Sequence, residues 1–235
     1  MPGGQSSTFN GVRQYHAEIA DLSLSVIQTG IGVTRAKATA REAFKGCRYD
    51  LAISSGFACA LIPASIGDVV LPNTVVLNLV DSSVQLELPS FPCSVEYQHL
   101  FHCLALERGS PIVADVLVTV TKVVGDSSEK QHIAQRVQAS ALDMESAGIA
   151  EVACKNAIPF LVVRTVSDLM DENLPEDFNL FLSPSTWMLG IWRFASRPGH
   201  WAHVWRLRHQ TQVASCQLTE FFKTFIQRRG QQKMA

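Results

Sequence analysis

The spacing of apolar and polar positions changes period several times along the chain, and each change predicts an element. Leu22 to Gly30, "LSLSVIQTG", alternates with a period of two and closes in a glycine turn. "VTRAKATAREAFKG", Val33 to Gly46, then sets alanines between charges at helical intervals, so strand, turn and helix follow one another. "YDLAISSG", Tyr49 to Gly56, is an apolar run ending in small residues. It predicts a buried strand lying parallel to the first, the two forming a strand-helix-strand unit. Beyond it, "GDVVLP" and "VVLNLV" predict strands, and "SVEYQHLFHCLALERG" predicts a helix. "PIVADVLVTVTKVV", Pro111 to Val124, predicts one long strand, and "SSEKQHIAQRV" a short helix capped by Ser127 or Ser128. "MESAGIAEVACKNA" predicts a helix with Met144, Ile149, Val152 and Ala153 inward, and "IPFLVVRTVSD" a fully buried strand stopping at Ser167 and Asp168.

Alternating strands and helices predict an α/β fold. In such sheets, sites gather beyond the carboxyl ends of strands, where loops and helix N-termini converge. Three polar clusters fall at predicted strand ends: "SSGFAC", "DMES" and "RTVSD". A carboxylate in such a place is commonly a cap or turn former. Asp143 occupies the N-cap position of the predicted helix and Glu145 its first turn, so stabilisation of the helix dipole accounts for both without any chemistry. Asp168 differs, because it ends a strand of near-total apolarity whose neighbours desolvate it and push its pKa up toward values useful in proton transfer. Arg164, inside the same strand, requires an acidic partner whatever its role.

Composition narrows the classes. A length of 235 residues suits one domain, 1–235, and 47% apolar against 17% charged residues leaves ample material for a core. A formal net charge of -1 provides no field to hold a polyanion, which argues against nucleic acid as partner and toward a small molecule. The six cysteines contain no C-x-x-C and are expected to be buried thiols in a reducing cytoplasm. The opening, "MPGGQSSTFNGVRQYHAEIA", has no apolar run of a signal peptide, and no stretch of about 18 apolar residues is present to span a bilayer. His99, His102 and Cys103 share a helical face but have no second ligand cluster, so no metal is expected. A serine hydrolase is disfavoured by the absence of G-x-S-x-G, and "GIGVTR" lacks the third glycine of a dinucleotide fingerprint.

The segment "ALDMESAGIAEVACKNAIPFLVVRTVSD" resembles the joint signature of the nucleoside phosphorylase family that includes methylthioadenosine/adenosylhomocysteine nucleosidases: a Met-Glu pair, then a strand ending Ser-Asp. "VIQTGIGVTRAKATA" resembles the family's Gly-Ile-Gly turn and helix, "LAISSGFACAL" its small-residue loop, and "IGDVVLP" the strand after it, so the resemblance covers about residues 22 to 170. It implies a three-layer α/β/α sandwich around a mixed central sheet, and cleavage of the N-glycosidic bond of a purine nucleoside, with adenine as the base. By this resemblance Asp168 protonates or hydrogen-bonds the purine at N7 and Ser167 orients its carboxyl. Glu145 holds ribose hydroxyls and steadies the positive sugar ring, and Met144 packs against the sugar. Ser55, Gly56, Phe57 and Ala58 would line the purine and the nucleophile from a loop running to Ala60, and Val123 and Val124 would supply a purine-packing wall on a strand. No cofactor is implied, with phosphate open as co-substrate, and the implied assembly is a homo-oligomer, such as a homodimer.

Two departures bear on this. In the loop, Phe57, Cys59 and Ala60 replace the family's serine and glycines, so "GFACA" brings no hydroxyl or basic side chain to a phosphate and hydrolysis is favoured over phosphorolysis. The family's apolar first strand and water-activating glutamate are also missing from the polar opening, and Glu18 is no substitute, because "YHAEIADLSLSVI" runs on into the next strand. Loss of a general base lowers rates by about 10²- to 10⁴-fold. The expected protein is thus a purine nucleosidase or nucleoside phosphorylase of impaired activity or, as the alternative, a nucleoside-binding sensor of the same fold. From Ser183 to Thr219 there is no acidic residue, and Arg193, Arg197, Arg206 and Arg208 alternate with Trp187, Trp192, Phe194, Trp201 and Trp205. A basic, tryptophan-rich helical segment over 183–228 is expected, serving a peripheral membrane contact or packing on the sheet or a subunit interface. With "ENLPEDFNLFL" it resembles the hopanoid-associated branch of the family, whose substrate is a nucleoside joined to a polycyclic lipid.

Overall fold

The computed structural model describes residues 5–9, 12–19, 22–78, 88–109, 112–113, 115–173 and 201–232. An eight-stranded mixed sheet carries the core. Its order is β7 (Ser90–Pro92), β6 (Thr74–Asn78), β9 (Val116–Val120), β10 (Ala141–Asp143), β4 (Ala52–Ala60), β11 (Phe160–Asp168), β5 (Val69–Val70) and β8 (Ile112–Val113). β4 and β11 run parallel in register from Ala52 beside Phe160 to Ala58 beside Val166. β10 is parallel to β9 but antiparallel to β4, so the chain leaves the two halves of the sheet in opposite directions.

Side chains alternating on β11 identify the two outer layers. Arg164 reaches Ser146 at the start of α4 (Ser146–Lys155), while Thr165 donates a hydrogen bond to Ala214 O on the long helix α5 (Trp201–Gln232) on the opposite face. α4 packs against α1 (Val33–Phe44), whose Ala36, Ala40 and Ala43 are buried at helical spacing, and a Cβ on Gly148 would come within 2.5 Å of Val33 O. These small residues let the helix backbones meet. On the other layer α5 places Phe221 and Phe225 against Phe101 of α2 (Val95–Glu107), with ring centroids 5.8 and 4.8 Å apart. These rings join Leu161, Val163 and Val166 in one apolar cluster.

Several predicted elements are corrected. β3 (Leu22–Ile27) does not lie parallel to β4. It closes a separate antiparallel sheet with β1 (Gln5–Phe9) and β2 (Val12–Ile19), so the polar opening forms strands after all, and Glu18 is exposed on β2 opposite Ser23. The predicted strand over 111–124 is two strands, β8 and β9, belonging to different parts of the sheet, and Asp115 turns between them at φ 80°. Asp126, rather than Ser127 or Ser128, caps α3 (Ser127–Val137), accepting from Ser128 N at 2.8 Å and Glu129 N at 3.2 Å. Met144 precedes α4, with Val152 and Ala153 inward as expected. Of the C-terminal segment, Trp187, Trp192, Arg193, Phe194 and Arg197 lie outside the described residues, as does most of "ENLPEDFNLFL". Trp205 is 66% exposed, with the Arg208 guanidinium 6.0 Å from its ring centroid. Among the described residues, no helix is long and apolar enough to cross a membrane and no group of three or more His, Cys, Asp or Glu could hold a metal.

Candidate active site

Cys59 is the point of reference, because it pairs with Leu142 of β10 on one side and Asp168 of β11 on the other. Two strand spacings, about 10 Å, therefore separate the chains that carry the two carboxylate groups. On β11 the register slips between Val166 and Asp168, leaving Ser167 as the extra residue of a bulge. A bulge bends the strand and re-aims the side chain that follows it, here Asp168.

Asp168 is buried, and its Oδ2 accepts from Lys130 Nζ at 2.9 Å. Its Oδ1 is buried with no well-formed hydrogen bond among the described residues, the neighbouring Cys59 thiol donating to Ala60 O at 3.5 Å. An orphaned buried carboxylate oxygen costs free energy unless a ligand satisfies it or the group takes up a proton. Burial pushes the Asp168 pKa above the usual carboxylate range, and Lys130 and the Cys59 thiol only partly offset this. The thiol in turn is pushed up, first by burial and then by the Asp168 charge. Lys130 is fully buried, and all three ammonium protons are placed: on Asp168, on Leu169 O at 3.0 Å and on Glu172 O at 2.7 Å. It therefore fixes both the carboxylate and the chain turning away from β11. No hydrogen bond joins Ser167 to Asp168 among the described residues; Lys130 orients the carboxyl instead.

The second group is built around Arg164. Its Nη2 lies 2.7 Å from Asp143 Oδ2 and 3.7 Å from Glu145 Oε2, and donates to Ser54 Oγ at 3.0 Å and Ser146 Oγ at 3.1 Å. A buried guanidinium is tolerable only with such compensation. Asp143 also accepts from Ser146 N at 3.0 Å and from Thr119 Oγ1 at 2.6 Å, and Thr119 Oγ1 accepts from Ala147 N at 3.0 Å. Asp143 and Thr119 thus satisfy the first turn of α4 although Glu145 holds the N-cap position. Glu145 is held differently, its Oε1 accepting from Gly32 N in the turn before α1 at 2.9 Å. Burial raises its pKa, with Arg164 opposing and Asp143 adding to the rise. One carboxylate is therefore consumed by structure, while the other keeps a partly open face with 17% of its side chain exposed.

Ser55, Gly56, Phe57 and Ala58 lie within β4 and not in a loop, because that strand continues to Ala60. Gly56 is required where it stands, since a Cβ there would run into Arg164 Nη1. Val123 and Val124 are also displaced from their predicted strand into the segment after β9, where Val124 is buried and Met144 packs on the same apolar cluster as Cys59 and Leu142. Lys130 escaped notice in the sequence. The available signal was its place on the apolar stripe of α3, three, four and seven residues before Ile133, Ala134 and Val137.

The model of the phosphorylase superfamily matches residues 2–184. Among solved structures, 5'-methylthioadenosine/S-adenosylhomocysteine nucleosidase from Neisseria meningitidis in complex with methylthio-immucillin-A is 18% identical, over 93% of this chain and 90% of that one, with a TM-score of 0.67. A Helicobacter pylori MTAN mutant with 5'-methylthioadenosine in its active site gives 20% identity over 82% and 87%, with a TM-score of 0.68. A futalosine hydrolase mutant from Helicobacter pylori gives 21% over 81% and 86%, with a TM-score of 0.65. These structures share the fold, and with most of its length matched by the family model, the chain belongs to the phosphorylase superfamily.

Proposed function

We propose that the protein cleaves the N-glycosidic bond of a purine nucleoside, adenine being the favoured base, with Asp168 as acid toward the base and Glu145 as the group that steadies the sugar. The unpartnered, buried Oδ1 of Asp168 supports this most directly. In the reaction the C1'–N9 bond breaks, its electron pair leaves with the purine, and the proton carried by Asp168 passes to N7 of the departing base. The oxocarbenium-like sugar develops positive charge beside Glu145, and water adds at C1' and gives up one proton to the solvent. Water is favoured over phosphate because the side chains of Gly56 to Ala60 bring no hydroxyl and no cation, and the Arg164 guanidinium beside Gly56 is engaged by Asp143, Ser54 and Ser146. Binding of methylthioadenosine and adenosylhomocysteine is carried over from the shared superfamily and the ligands of the similar nucleosidases. A homo-oligomer and a peripheral contact through the C-terminal helix belong to the same reading, the latter supported by exposed Trp205 beside Arg208.

Lys130 at 2.9 Å favours the ionised form of Asp168 and so supports a second reading, a protein that binds nucleosides without turnover. Incubation with methylthioadenosine, adenosylhomocysteine, adenosine and inosine, with and without phosphate, separates the two. Release of free base, abolished by Asp168→Asn, is the expected result. Saturable nucleoside binding with no base released in either buffer would transfer the assignment to the sensor.

A further inference from the structure

An open concavity of about 600 Å³ lies apart from the two carboxylate groups, between the small antiparallel sheet and α1, lined by Arg13, Gln28, Thr29, Gly30, Arg35 and Thr39 among others. Its volume is that of small-molecule sites and well above what a single tetrahedral oxyanion occupies. No acidic side chain lines it, and among the described residues no carboxylate lies within ion-pairing distance of Arg13 or Arg35. Some surface cations of this chain are paired, as Lys37 is with Glu151 and Arg228 with Glu107, and others such as Arg41 and Arg48 are not among the described residues; what sets Arg13 and Arg35 apart is that they share one concavity. Two unpaired guanidiniums on one concavity repel each other and raise the local potential, an arrangement that an oxyanion relieves and that forked N–H donors fit.

We propose that this cavity binds a small molecule bearing a phosphate or diphosphate group, with Arg13 and Arg35 as the anion-holding residues. The Gln28 side chain offers a further donor. The threonine hydroxyls do not, because Thr29 Oγ1 donates to Gly30 O at 3.2 Å and Thr39 Oγ1 to Thr29 O at 3.4 Å. Arg35 is held over the turn that forms one wall: its Cδ lies 3.5 Å from the position a Cβ on Gly30 would take, and Gly30 itself has φ 77°. Two residues further on, Gly32 N donates to Glu145 Oε1, so a ligand seated against Gly30 bears on the turn that holds the sugar-side carboxylate.

Titration calorimetry in phosphate-free buffer with inorganic phosphate, pyrophosphate and glycerol 3-phosphate tests the site without reference to nucleoside cleavage, so it can fail or succeed independently of the proposed function. Saturable binding is expected, weakened roughly tenfold or more by Arg13→Ala or Arg35→Ala and lost in the double variant. Arg41→Ala, on the same helix but outside the cavity, should bind as the parent protein does. Both arginines are exposed, so the variants should unfold at the parent temperature. Tighter binding of the organic phosphate than of the free ion would assign the site to a phosphorylated metabolite; equal binding would assign it to free phosphate. Absence of binding at millimolar concentrations, or equal weakening by Arg41→Ala, would overturn the proposal.

Discussion

Asp168 and Lys130 pose the sharpest question at the scale of single residues, because burial favours the neutral acid while the ammonium 2.9 Å away favours its anion. With burial the larger effect, the acid form persists above the ordinary carboxylate range and is lost as pH rises through the elevated pKa. Base release should therefore fall on the alkaline side. In Lys130→Met the opposing charge is gone, the Asp168 pKa rises further, and the descending limb of the kcat/KM profile should move to higher pH. An unmoved limb, with only a lower plateau, would mean that Lys130 holds the turn at Leu169 and Glu172 without tuning the acid. Of this pair the sequence showed one half. Asp168 stood out because a carboxylate at the end of an apolar strand has few bland explanations, whereas a lysine in a charged helix has many, and its partner is 38 positions away. The Asp143 and Glu145 pair was legible as cap and candidate, but which atoms did the capping depended on Thr119 from a neighbouring strand.

At the level of elements, helix α4 depends on its contact with α1, where the Cβ that Gly148 lacks would meet Val33 O at 2.5 Å. Gly148→Ala should force the helices apart and lower stability by about 1–3 kcal/mol despite the better helix propensity of alanine, a loss readable as a lower urea midpoint at unchanged slope. Because Val33 follows Gly32, the displacement should also loosen the Gly32–Glu145 hydrogen bond and reduce turnover more than the Tm shift alone accounts for. Buried elements with a clear period, such as β11 and α4, were legible from the sequence. β1 and β2 were not, since a sheet of exposed and half-buried positions shows no apolar stripe, and the break between β8 and β9 rests on the conformation of Asp115, which composition does not reveal.

For the molecule as a whole, α5 is the element that closes the second layer. Phe221 is fully buried, touching Phe101 of α2 and the apolar cluster of β11, and Phe221→Ala should cost about 3–5 kcal/mol in equilibrium unfolding. If the variant lost less than about 1 kcal/mol, the helix would be an appendage instead of a layer. Along the described part of the helix Phe221 and Phe225 are buried inward while Trp205 stays exposed. Arg164 and Asp168 ride on one strand, separated by a single bulge, while Arg164 grips Asp143 and approaches Glu145 across the sheet. Any sliding of β11 along β4 must therefore carry Asp168 and, through the Arg164 side chain, the Asp143 group together, so the spacing between the two carboxylate groups behaves as a gauge set jointly by the β11 backbone and that one guanidinium.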